Sequence, residues 1–227
     1  MGYLSFILLT LIIGLVSSGL VNSRIRKYSH VPNSKGITGA QAATEMLAYH
    51  GVSGVRVVAG RKGQDHFDPR TNTISLSPSA YASTSVTALA TACHEAGHAC
   101  QYAQGYKPMK VRGAMVPGVQ LCSNAWIFVL MIGIFLNLAG LVTLAVILYA
   151  AVVLFELVTL PVEFNASHRA LETLDGQGLL DSEELRGARK VLKATALTYV
   201  AALLTSVVQL LRYVLIFLGR SNRRNNR

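Results

Sequence analysis

The sequence predicts a mostly α membrane protein, in which transmembrane helices are joined to a small α+β region with a short β-sheet. Three observations lead there. The chain has 227 residues, 52% hydrophobic and only 14% charged, and its apolar excess is gathered into long runs. Between the runs lie short β-branched and alternating segments bounded by Gly, Pro and Asn. A His-Glu-x-x-His motif, His94-Glu95-Ala96-Gly97-His98, sits in a stretch with helical patterning.

The first run, Tyr3 to Val21, carries no charge and is followed by Arg24, Arg26 and Lys27. A cleaved leader has its charges before the apolar core, so this order reads as an uncleaved anchor, residues 1–22. By the positive-inside rule, the basic residues place the following region in the cytoplasm. That region, 23–116, has the composition of a small soluble unit. Thr38 suits the cap of a helix ending at His50-Gly51. Val55 to Ala59, Gln64 to Phe67 and Thr73 to Ser77 read as strands, with Asp68-Pro69-Arg70-Thr71-Asn72 as a turn. Ser77-Pro78-Ser79 is expected to open the long motif helix, and Gly105 and Pro108 to close it.

On that helix, residues four apart lie on one face, so His94 and His98 can offer ring nitrogens to a single metal ion. Glu95 projects beside the ion, where a base takes a proton from metal-bound water. The chemistry points to Zn2+, a redox-silent Lewis acid with three protein ligands and one open position. Leu89, Cys93, Ala96 and Cys100 form a separate packing stripe, while Thr87 and Thr91 share the histidine stripe. The two cysteines are seven residues apart on one helix, about 10 Å along its axis, too far to bridge. Cys122 lies at the edge of an apolar run, and no disulfide framework follows. His66, between Asp65 and Asp68, is either a ligand or substrate contact at a strand edge or part of a polar turn; the turn is favoured.

Residues 117–160 are too long and apolar for one span and predict a helical hairpin bending at Asn137 and Gly140. Its return delivers residues 161–193, expected to start a new helix at Pro161 with Glu163 in its first turn. Glu163 is the candidate third metal ligand, with Glu156 in reserve; the alternative role for Glu156 is a buried hydrogen bond. His168, five residues from Glu163, reads as a surface residue. Asp175-Gly176 should end the helix, and Asp181-Ser182-Glu183-Glu184 carries a capping-box pattern for the next. Residues 194–219 are long enough to span, although Gln209 and Arg212 interrupt them, so an interfacial helix is the alternative. A basic, disordered tail, 220–227, is expected to follow.

Formal net charge is +10, with Lys and Arg flanking the apolar runs. That suits a lipid bilayer with anionic headgroups; interleaved aromatics and RNA-binding signatures are missing, which argues against nucleic acid. If the first and last runs each cross once around the hairpin, the arginine tail lies opposite the catalytic region, and the two sides compete under the positive-inside rule. The catalytic side has more basic residues close to membrane ends, and the cytoplasm is the expectation. The scarcity of ionisable residues within the runs weighs against a transporter.

The motif, the upstream Asp65-His66-Phe67-Asp68-Pro69-Arg70 and the later Leu160-Pro161-Val162-Glu163-Phe164-Asn165-Ala166-Ser167 together resemble the YugP-like neutral zinc metallopeptidases of bacterial membranes. The likeness spans nearly the whole chain. It implies a zincin-like, multi-pass peptidase of the cell membrane that hydrolyses proteins or peptides. A site close to the bilayer surface would, by its position alone, suit membrane proteins or their exposed loops as substrates. His94 and His98 would be zinc ligands and Glu95 the acid/base. Similarity to glutamate-liganded membrane zincins also supports Glu163 as the third ligand. Those relatives carry an aspartate four residues after the ligand glutamate; here Ser167 stands there, able to hydrogen-bond but not to supply charge. A different class, a zinc-binding membrane scaffold or regulator without hydrolysis, shares the ligands and is separated by the role of Glu95. The oligomeric state and natural substrate are left open by the sequence.

Overall fold

The computed structural model describes residues 3–225, with side chains from 5 to 216. The elements are α1 (Tyr3–Tyr28), α2 (Gly39–Tyr49), β1 (Arg56–Ala59), β2 (His66–Asp68), β3 (Thr73–Leu76), α3 (Pro78–Tyr81), α4 (Val86–Ala103), α5 (Lys107–Phe135), α6 (Ala139–Gly176) and α7 (Ser182–Asn225). The fold is therefore mostly α with a small α+β region. It divides into two compact units: Met1–Val16, Val111–Thr159 and Tyr199–Arg227 form one, Ser17–Lys110 and Leu160–Thr198 the other.

The first unit is built from apolar helical segments. Four helices, Ser5–Tyr28, Lys107–Phe135, Ala139–Gly176 and Ser182–Ile216, are long and apolar enough to cross a membrane. Phe128, Phe135, Ile147, Leu154 and Leu157 are exposed, the reverse of a water-soluble bundle. The hairpin bend is made by Asn137, whose φ of 54° is left-handed, with the Leu138 amide donating back to the Gly133 carbonyl. Gly133 is required there, because a Cβ would lie 2.9 Å from the Val142 nitrogen. Trp126, Tyr149 and Tyr213 pack as an aromatic trio with ring centroids 4.6 to 5.8 Å apart.

The second unit has a sheet of order β1-β3-β2, with β1 parallel and β2 antiparallel to β3. Ile74 and Leu76 of β3 are fully buried and join the main core. Thr38 caps α2 through a reciprocal capping box with Gln41. This helix buries Ala42, Ala43, Met46 and Leu47 in the same core as Leu89, Ala92, Cys93 and Cys100 of α4. Leu174 of α6 and Val191 and Leu192 of α7 complete it. Asp181 accepts from the Glu183 and Glu184 amides, and Glu184 returns a bond to the Asp181 amide, so the capping box opens α7 as its sequence pattern requires.

Several boundaries differ from expectation. The motif helix does not start at Pro78. That proline opens the short α3, and α4 begins afresh at Val86, capped by Ser85. The break persists because residues between the two helices bond elsewhere: Gly39 donates to the Ser83 carbonyl and Asn33 to that of Thr84. Gly105, at φ 69°, does end α4, but Pro108 falls in the first turn of α5 and does not close a helix. Pro161 begins no helix either. It lies inside the continuous α6, where its missing N–H removes one backbone bond without breaking the helix. A separate tail is not seen: α7 runs to Asn225, while residues 226–227 and all side chains beyond Ile216 lie outside the described residues.

α4 and α6 come into close backbone contact inside the motif. A Cβ on Gly97 would lie 2.7 Å from the Ala166 carbonyl oxygen, so only glycine lets the two backbones meet. Gly97→Ala should therefore lower stability by about 1–3 kcal/mol and weaken zinc retention. Gly113→Ala, with open space at its Cβ, should change neither. Thermal unfolding in detergent with metal analysis checks both variants.

Candidate metal centre

The α4 turn from His94 to His98 stacks two imidazoles, with ring centroids 4.8 Å apart and planes at 80°. Against them α6 presents Glu163, only 2% exposed. Its Oε2 stands 3.2 Å from His94 Nε2 and 3.6 Å from His98 Nε2. The ligand atoms of His94, His98 and Glu163 all lie within 4.8 Å of one another, and no other such group of His, Cys, Asp or Glu is found among the described residues.

The bonds behind the rings decide which nitrogens face inward. Gln101 Nε2 donates to the Val162 carbonyl at 2.8 Å, a group that can only accept. The Gln101 Oε1 therefore faces His98 Nδ1, 3.0 Å away, and His98 must donate there. That places the His98 proton on Nδ1 and leaves Nε2 with a lone pair toward Glu163. Ser167 Oγ lies 3.1 Å from His94 Nδ1 and can hold that ring in the same tautomer. Gln101 also donates to Asn165 Oδ1, which accepts from Arg169 Nε at 2.8 Å. One buried amide thus ties the second histidine to the helix that carries the glutamate.

Two imidazole lone pairs and a carboxylate aimed at one point repel unless a cation sits among them. Zinc ligands at about 2.0–2.1 Å in a tetrahedron stand about 3.4 Å apart, and the observed 3.2 and 3.6 Å bracket that spacing. The donor set therefore fits zinc. Without an ion a proton must serve: burial disfavours a charged His98, but the Glu163 hydrogen bond and the charges of Glu95 and Glu163 outweigh it. The His98 pKa rises above the usual histidine value. The neighbouring thiols take no part. Burial pushes Cys100 up to about 11 and Cys93 higher still, so both stay protonated in the core.

Glu95 is 9% exposed, and its carboxylate has no hydrogen-bond partner among the described residues, although its charge reaches His98. Glu156, the reserve ligand, belongs to the other unit. Its Oε1 accepts from Ser206 at 3.0 Å, a half-buried hydrogen bond close to the alternative role expected for it. His66 is exposed on the edge strand β2, with Nδ1 3.1 Å from the Gln64 carbonyl. Its flanking acids organise loops: Asp65 accepts from Ser77, and Asp68 from the Arg70 amide and Thr71 hydroxyl. His168 is on the surface, paired with Glu172. Sequence reasoning missed Gln101 and Asn165. A long polar residue three positions after His98 was the available signal for Gln101; Asn165 gave none.

The chain matches, over residues 3–218, the family model described as "Putative neutral zinc metallopeptidase". It is also 41% identical over 200 residues to "Putative membrane protease YugP" of Bacillus subtilis (strain 168), covering 88% of this chain and 89% of that protein. No solved structure matches it.

Two outcomes follow from the geometry. Gln101→Leu should leave the fold intact but weaken zinc binding by about 10–100-fold, read by competition with a chelator. Because zinc must displace the proton that His98 holds unusually firmly, affinity should begin to fall with decreasing pH above about 6.5, by about tenfold per pH unit. A titration with constant affinity from about pH 8 to 6 would contradict the proton's place between the rings and Glu163.

Proposed function

The chain belongs to the neutral zinc metallopeptidase family, and from that membership we propose a membrane-embedded zinc endopeptidase with Glu95 as general base. The observation that carries this reading is the convergence of His94, His98 and Glu163 with the unpartnered Glu95 carboxylate beside them. His94 and His98 through Nε2, and Glu163 through its carboxylate, would hold the metal. Zinc supplies a Lewis acid for the scissile carbonyl and lowers the pKa of water toward about 7.

The remaining work falls to the chain. Glu95 accepts a proton at its carboxylate as the water oxygen adds to the carbonyl carbon. It then returns that proton to the amide nitrogen as the C–N bond breaks, and regains its charge for the next cycle. Ser167 and Gln101 keep both rings in the tautomer that binds metal, and Glu163 stays fixed by its burial on α6. The near-complete burial of Glu95 keeps bulk water from competing for its charge.

Four long apolar helices and a relative named as a membrane protease support placement in the cell membrane as a multi-pass protein. Arg24, Arg26 and Lys27 at the end of α1, with Lys107, Lys110 and Arg112 at the start of α5, support a site facing the cytoplasm. Substrates in this reading are membrane proteins or their exposed loops.

Glu95→Gln should retain zinc at the wild-type level while cleavage of a casein-type substrate falls by about a hundredfold or more. Equal cleavage by wild type and variant, with both metal-loaded, would instead favour a zinc-binding scaffold.

A further inference from the structure

A groove of about 460 Å³ lies between the Leu160–Gly176 part of α6 and the start of α7, within the unit that holds the metal centre. Its apolar lining includes Phe164 and Leu197, which are 49% and 48% exposed. Arg189 and Lys193, one turn apart on α7, line it as well, and no acidic side chain does. Neither cation has an ion-pair or hydrogen-bond partner among the described residues. His168, the third basic group, is already paired with Glu172. The groove therefore combines two free positive charges with an open apolar wall.

Its place along the helices narrows the occupant. Beyond Lys193, α7 carries no Asp, Glu, Lys or Arg until Arg212, and between Ala139 and Val162 α6 carries only Glu156. Arg189 and Lys193 are thus the last cations before a span-length uncharged stretch, the position at which basic side chains meet lipid phosphates. Phe164 and Leu197 sit next to them, where an acyl chain would continue from the headgroup. An anion with an apolar extension fits this pattern, and an acidic soluble protein would leave the apolar wall in water.

We propose that the groove between α6 and α7 binds an anionic phospholipid, with Arg189 and Lys193 on its phosphate and Phe164 and Leu197 along its acyl chain. Ser167 lines the same groove and is hydrogen-bonded to His94 Nδ1, so a lipid in place packs against the residue that orients a metal-site histidine. Lipid and metal are thereby joined through one hydroxyl. The inference rests on the membrane placement proposed above but not on peptide hydrolysis.

The test uses the full chain in detergent and counts phosphatidylglycerol and phosphatidylcholine retained on it by native mass spectrometry. Wild type should retain phosphatidylglycerol in preference to phosphatidylcholine. The double variant Arg189→Gln/Lys193→Gln should retain phosphatidylglycerol about tenfold less well. Arg186→Gln/Lys190→Gln removes the same charge from exposed positions of α7 outside the groove and should retain it as wild type does. Equal loss in both double variants, or none in either, overturns the proposal. So does unchanged retention accompanied by altered cleavage of acidic soluble peptides, which would make the groove a substrate subsite. Running the set on Glu95→Gln protein keeps the result independent of turnover: lipid selectivity there with no protease activity in wild type would sink the peptidase reading alone.

Discussion

The structure turns on a buried carboxylate held against two imidazole nitrogens. Glu163 is shut away from water, and its Oε2 stands 3.2 and 3.6 Å from the Nε2 atoms of His94 and His98. Burying a charge in such a place costs several kcal/mol unless an opposite charge accompanies it. A divalent cation answers that cost for all three groups at once, whereas a proton satisfies only one nitrogen. The orientation of Ser167, Gln101 and Asn165 follows from the same demand, since each fixes a hydrogen on the outer side of the site or braces a group that does.

Bringing a helix that carries the acid onto one that carries the histidines is a problem of backbone distance. Side chains of ordinary size hold helix axes 8–10 Å apart. Gly97, between the two histidines, removes the side chain at the point of contact, and Ala166 opposite it keeps the partner surface low. The motif's glycine thus serves geometry, while the histidines before and after it carry the imidazoles that face Glu163. Gln101 reinforces the contact with a bond from α4 to the α6 backbone next to Glu163, so ring orientation and helix contact are set by one side chain.

α6 also changes how the acid is presented. A helix starting at Pro161 would have put Glu163 on a frayed first turn, with backbone amides unpaired around it. Inside a continuous helix the same residue has a rigid backbone on both sides, and the proline's lost bond is a small local cost. The helix that bears Glu163 is also one of the four with the length and hydropathy of a membrane span. The proposed membrane enzyme and the proposed lipid groove both draw on that continuity.

By itself the sequence determined whatever depends on local spacing and composition. The four apolar helices, the short strands, the helix cap at Thr38, the capping box at Asp181, and the shared face of His94 and His98 follow from periodicity and end signals read within a few residues. Tertiary structure alone decided what depends on contacts distant in sequence. The new start of α4 at Val86 comes from the bonds that residues 83–84 accept from the amides of Asn33 and Gly39, on either side of the turn that leads into α2. The passage of α6 through Pro161 and the use of Gln101 as a brace are likewise settled by partners more than sixty positions away or by a whole helix's packing. Local propensity is worth tenths of a kcal/mol per residue, and a buried polar group left unpaired costs more, so the long-range partner wins wherever the two disagree.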